Sequence, residues 1–191
     1  MKRLAAIRVV SGMAAVALAL SAVPVRAQVL PGLPVDREGL GKLDASGWTD
    51  ARSDQAGLSL RFPCLYGEAT KTGEVGSTSR TSWAFIMNCV RADKVVFSAM
   101  RADFHGDLVK AEQGFEELIS RHGGEVLRRF TYKGAVAVDL KRADGGRCGW
   151  FRLIRAGSDN VALIVEGQGA NCVGLDADIA KFFDSVEVRP R

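Results

Sequence analysis

The chain has 191 residues, with 26 Lys+Arg against 22 Asp+Glu and a formal net charge of +4. The excess is local: Lys2, Arg3, Arg8 and Arg26 precede residue 28, so 22 basic residues face 22 acidic ones in the remainder. That balance argues against a nucleic-acid partner, because such binding rests on surplus positive charge facing phosphates.

Residues 1–27 read as a cleaved signal peptide. Lys2, Arg3 and Arg8 form a positive start, Val9 to Leu20 an apolar run rich in Ala, and Val25-Arg26-Ala27 a small-x-small cleavage site. The competing reading is a membrane anchor. The apolar run is shorter than the roughly 20 residues of a comfortable span, and no Cys follows it to carry a lipid. The expected location is the periplasm or the exterior, with no stable membrane insertion after cleavage. The 164 residues beyond Ala27 suit one domain with a hydrophobic core. Residues 28–46, with Pro31, Pro34 and several glycines, read as a flexible arm, and 47–191 as a single α+β domain.

Along the domain, Leu58, Leu60 and Phe62 alternate as a strand that Pro63 stops. Residues 66–82 read as a polar loop with Gly67, Gly73 and Gly76. Trp83 to Val90 and Val95 to Phe104 read as strands around a tight turn at Arg91 to Lys94. Asp107 suits a helix N-cap, and Leu108, Ala111, Phe115, Leu118, Ile119 and His122 then recur at helical spacing up to Gly123-Gly124. Val126 to Thr131 and Ala135 to Leu140 are the next strands, and Asp144-Gly145-Gly146 the next turn.

The stretch from Arg147 to Gly167 organises the rest. It reads as two strands around Gly157-Ser158-Asp159-Asn160, with apolar runs at Trp150 to Ile154 and Val161 to Val165. Neither run alternates cleanly, so both faces of the hairpin should be covered. Leu175, Ile179, Phe182, Phe183 and Val186 mark a last amphipathic helix that leads into a short strand, with Asp176 and Asp178 placed for its N-terminal dipole. Short turns between consecutive strands make them antiparallel. The expected fold is therefore a mainly antiparallel sheet packed by two helices.

The cysteines, Cys64, Cys89, Cys148 and Cys172, are even in number, which in an exported chain favours two disulfides. Three pairings are open. The hairpin favours one of them: Cys148 opens its first strand and Cys172 lies just past its second, and antiparallel strands bring those ends together. That leaves Cys64 with Cys89. No spacing matches C-x-x-C redox chemistry or a zinc site.

Gly47-Trp48, the strand Gly57-Leu58-Ser59-Leu60-Arg61-Phe62-Pro63 and the ending Phe182-Phe183-Asp184-Ser185-Val186 resemble small exported PsbP/Mog1-like domains. The likeness runs over residues 47–188. It implies an α/β/α sandwich with assembly or binding roles, and no functional residue to carry over.

Candidate chemistry is sparse. His105 and His122 are the only histidines, and His122 reads as a cap or packing residue of the first helix. Arg101, Asp103 and His105 alternate, so they share a strand face. A solvated face running into a loop explains them better than an active site does. There is no G-x-S-x-G elbow and no phosphate loop. Asp139 and Asp184 sit among apolar residues without a visible pairing. Trp48, Trp83 and Trp150 suit a ligand groove or, for Trp150 above all, the core. No catalytic residue, cofactor or metal is assigned. The leading expectation is a non-catalytic envelope protein that binds another envelope protein or helps assemble a complex. The alternatives are a periplasmic hydrolase using His105 with a nearby carboxylate, and a carrier of a small apolar ligand.

Overall fold

A computed structural model describes residues 36–74, 81–103, 113, 117, 120 and 124–189. The expected signal peptide and the first part of the arm lie outside these residues, as do His105 and His122.

The architecture grows from a four-stranded meander. Its strands are β7 (Gly124–Tyr132), β8 (Ala135–Asp144), β9 (Arg147–Ala156) and β10 (Asp159–Gln168). Each pair is joined by two residues, and register closes at Tyr132↔Ala135, Asp144↔Arg147 and Ala156↔Asp159. Two-residue hairpins need left-handed backbone to match the sheet twist. Lys133-Gly134 and Gly145-Gly146 supply it at both positions, and Gly157 at the first position of Gly157-Ser158.

Six earlier strands complete the count: β1 (Arg37–Leu40), β2 (Thr49–Ser53), β3 (Leu58–Phe62), β4 (Tyr66–Glu74), β5 (Thr81–Val90) and β6 (Val96–Asp103). A helix α1 (Asp176–Ser185) and a two-residue strand β11 (Glu187–Val188) end the fold. The large sheet has eight strands in the order β1-β4-β5-β6-β10-β9-β8-β7, every pairing antiparallel. The small sheet has the order β11-β3-β2.

This corrects the expected fold class. The described chain is dominated by antiparallel sheet, and one helix packs on it, in place of an α+β sandwich packed by two. Most of the helix expected from Asp107 lies outside the described residues; Gln113, Glu117 and Ser120 within it are helical and exposed. The strand content was underestimated at three places, the first being β2, where no strand was expected. The expected polar loop 66–82 contains β4 and the start of β5, whose Gly, Thr and Lys content hides a strand that gets its hydrogen bonds from its neighbours. The expected arm 28–46 contains β1, which pairs with β4, and Leu43, which bridges Thr49.

The main core lies between one face of the large sheet and a second layer made of the small sheet and α1. Phe62, Phe97 and Phe182 meet there: Phe62 and Phe182 are 5.3 Å apart between ring centroids, and Phe97 and Phe182 are 5.4 Å apart edge to face. Helix α1 contributes Ile179, Phe182 and Phe183, which share one face at helical spacing. Its C-terminal end is held by the β7–β8 turn: the Tyr132 hydroxyl sits 2.9 Å from the Asp184 carbonyl, and Lys133 Nζ donates to the Val186 carbonyl at 3.0 Å. The opposite face of the large sheet buries a smaller cluster of Val138, Leu140 and Phe151. Strand β9 is thus covered on both sides, Trp150 and Ile154 on one and Phe151 on the other.

Two disulfides staple the sheet. Cys64–Cys89 joins the β3–β4 link to β5, and Cys148–Cys172 joins β9 to the turn after β10. The second arises as the hairpin geometry demands. Gly167 stands opposite Cys148, and a 3-10 turn over Gly169–Cys172 brings the chain back across the strand end. Replacing Cys148 and Cys172 together by alanine is expected to lower unfolding free energy by about 3 kcal/mol, because the pair closes a loop of sequence separation 24. Urea denaturation of the exported double variant checks this, and an unchanged midpoint would refute it.

Candidate functional site

Of the row suspected from sequence, the structure describes the side chain of Arg101 alone. Arg101 does not face solvent. Its side chain is buried, with Nε 2.9 Å from Asp159 Oδ2 and Nη1 donating to the carbonyls of Ala56 at 2.8 Å and Arg189 at 2.9 Å. Every contact is to the fold itself: one guanidinium ties the β2–β3 turn and the chain after β11 to the large sheet. Asp103 opposes Asp159 in the register, its side chain being outside the described set, and His105 lies outside it altogether. Trp48 and Trp150 are core residues, with Lys181 Nζ 4.2 Å over the Trp48 ring and Lys141 Nζ 5.6 Å over the Trp150 ring.

The cluster that sequence reasoning missed is centred on Arg152. A single cross-strand row on the core face runs Arg37–Glu68–Met87–Ala99–Leu163–Arg152–Asp139–Arg128, one residue per strand of the large sheet. It is apolar in the middle and charged at both ends. At one end Arg37 pairs with the buried Glu68. At the other, Arg152 grips Asp139 in a fork, Nε to Oδ1 at 2.7 Å and Nη2 to Oδ2 at 3.0 Å. Arg128 reaches the same carboxylate at 2.8 Å, and Arg152 Nη1 reaches Asp184 of α1 at 2.9 Å. The rings of Phe183, Phe130 and Tyr132 surround the Arg152 guanidinium at 4.9, 5.1 and 5.1 Å. Burial works against its charge, but hydrogen bonds to Asp139 and Asp184 outweigh that and hold its pKa above the ordinary value. Asp139 and Asp184 are therefore brought together, as two carboxylates sharing one arginine. A signal was present: Arg152 and Asp139 are opposite charges that each interrupt an apolar strand run, on adjacent strands of a meander.

Beside this cluster lies a groove of about 180 Å³ between α1 and the sheet. Trp150, Ile179 and Phe183 line its apolar part, Asp139, Arg152 and Asp184 its polar part, and Leu127 of β7 also borders it. Strand β7 ends the large sheet and has no strand on its outer side among the described residues. It exposes Val126 at 40% and Leu127 at 51%, and farther along, opposite Thr131, Val136 of β8 is 52% exposed.

A second hollow, of about 390 Å³, lies where β6, β8, β9 and β10 meet near Cys148. Lys94, Arg142, Arg147, Glu166 and Gln168 are among its lining residues. Arg147 stands opposite Gln168 on one side and Asp144 on the other. Among the described residues no group of His, Cys, Asp and Glu is arranged to hold a metal ion, and no helix is long and apolar enough to cross a membrane.

The fold these sites sit on is PsbP-like. The solution structure of cyanobacterial PsbP (CyanoP) from Synechocystis matches with a TM-score of 0.50 at 10% identity, over 78% of this chain and 97% of that one. A Pseudomonas aeruginosa protein of unknown function matches with a TM-score of 0.39 at 12% identity, over 75% of this chain and 99% of that one. No protein-family model and no curated protein matches the sequence. The likeness to cyanobacterial PsbP extends to the fold alone, and the two disulfides are of the kind found in oxidising, extracytoplasmic compartments.

Proposed function

We propose that this is a non-catalytic exported protein that binds another envelope protein or helps assemble a complex. The observation that carries the reading is the β7 edge. An unpaired strand edge is a template for pairing with another chain, and natural folds usually blunt it with charge or cover. Here the edge carries adjacent exposed Val126 and Leu127, and Leu127 borders the groove beside α1. An extended partner segment added along β7 gains main-chain hydrogen bonds, and the groove takes one of its side chains. Export to the periplasm or beyond follows from the N-terminal signal and agrees with the disulfides.

The test compares crosslinked complexes recovered from the native envelope with wild-type protein, Leu127→Glu and His105→Ala. Leu127→Glu should leave the fold intact, because the side chain is exposed, and reduce the captured partner at least tenfold. His105→Ala should capture and function as wild type. Equal capture by Leu127→Glu would overturn the reading. So would loss of biological function in a stably folded His105→Ala variant, which would favour a hydrolase.

A further inference from the structure

The hollow near Cys148 concentrates positive charge that the fold leaves uncompensated. Elsewhere arginines hold carboxylates: Arg61 with Asp44, Arg91 with Asp178, Arg101 with Asp159, Arg152 with Asp139. Here the lining includes three cations, Lys94, Arg142 and Arg147, against the single acid Glu166. Lys94 and Arg147 form no ion pair among the described residues, and Arg142 Nε is buried without a hydrogen-bond partner.

The hollow is built by backbone and register. On this face the row Arg142–Gly149–Glu166–Val96 crosses four strands. Gly149 places no side chain between its neighbours, so Arg142 reaches over it to Glu166 at 3.0 Å. A Cβ at Gly149 would come within 2.8 Å of the Phe151 ring, which takes up the space a side chain there would need, and the Arg142 guanidinium lies 5.9 Å from the centre of that ring. Lys94 is directed from the β5–β6 turn by a left-handed backbone, φ 65°, a conformation that non-glycine residues adopt rarely. Arg147 comes from the next row outward, beside Gln168.

We propose that this hollow binds a phosphate group. Two guanidinium groups and one ammonium, carried by separate elements, offer donors from several directions to a tetrahedral dianion. A carboxylate is the poorer match, since Glu166 already supplies one to Arg142. The net charge of the described lining side chains, two positive, balances that of a phosphate monoester dianion. The group is borne either by a soluble molecule or by a lipid headgroup. This inference is independent of the β7 reading.

The experiment titrates inorganic phosphate into the oxidised, exported protein at low ionic strength, followed by backbone amide NMR shifts, with sodium chloride at matched ionic strength as control. Phosphate should shift the amides of Gly149, Gly167 and Gln168 saturably, and chloride should not. Lys94→Gln/Arg147→Gln, both exposed positions, should keep the wild-type spectrum elsewhere and weaken phosphate at least tenfold. A second arm sediments the protein with phosphatidylglycerol vesicles, with phosphatidylcholine as control. Charge-dependent capture lost in the double variant assigns the phosphate to lipid; phosphate binding without capture assigns it to a soluble ligand. Equal shifts by chloride and phosphate, undiminished binding in the double variant, or no response in either arm would overturn the proposal.

Discussion

Arg101→Leu is expected to cost about 3–5 kcal/mol of unfolding free energy, the range for removing one partner of a buried ion pair. The loss has two physical sources. Asp159 keeps its carboxylate inside the protein without its cation, and the carbonyls of Ala56 and Arg189 each lose a charged donor. The second loss matters for architecture, because those carbonyls belong to the layer packed on the large sheet. Arg101→Lys keeps the charge but not the fork, and should fall between wild type and Arg101→Leu. Arg101→Leu/Asp159→Leu removes both charges and should recover part of the loss. Urea unfolding monitored by Trp fluorescence measures all three. A cost below about 1 kcal/mol for Arg101→Leu would mean that the guanidinium is a surface contact and that the layers hold without it.

Arg152→Ala should cost about 3–4 kcal/mol, toward the lower part of the same range, because Asp139 retains Arg128 as a second cation. The damage extends to packing, since the guanidinium fills the space between Phe130, Tyr132 and Phe183. The exposed Arg128 provides the contrast. Its salt bridge shares the same carboxylate, yet Arg128→Ala should cost less than about 1 kcal/mol, as solvent screens an exposed cation. If the two variants proved equally stable, Arg152 would not be the centre of the cluster. Loss of partner capture in Arg152→Ala would carry no functional meaning unless the variant stayed folded at the assay temperature, because Arg152 also holds Asp184 of α1.

The meander and its stapling disulfide were legible from local chemistry. Lys133-Gly134, Gly145-Gly146 and Gly157-Ser158 are turn signals whose requirements depend on two or three adjacent residues, so sequence determines them nearly alone. Cys148 with Cys172 followed, because a tight hairpin fixes which strand ends are neighbours. Helix α1 was legible too, since Ile179, Phe182 and Phe183 repeat at helical spacing. Strands β1, β2 and β4 were not. In β4, Gly67, Glu68, Lys71 and Gly73 are residues that strands disfavour and they mask the preference of Thr70 and Thr72, so the conformation is decided by hydrogen bonds to β5, contacts distant in sequence. The same applied to the charged residues. Arg101 reads as one member of a solvated row until the fold brings Asp159, 58 residues away, beside it. The cationic hollow near Cys148 likewise exists only where Lys94, Arg142 and Arg147 converge from different strands and turns. Local sequence determined the turns, the helix and one disulfide, because those depend on neighbours along the chain. Tertiary structure decided which charges are buried and which stay unpaired, because burial and pairing are properties of residues brought together across the sheet.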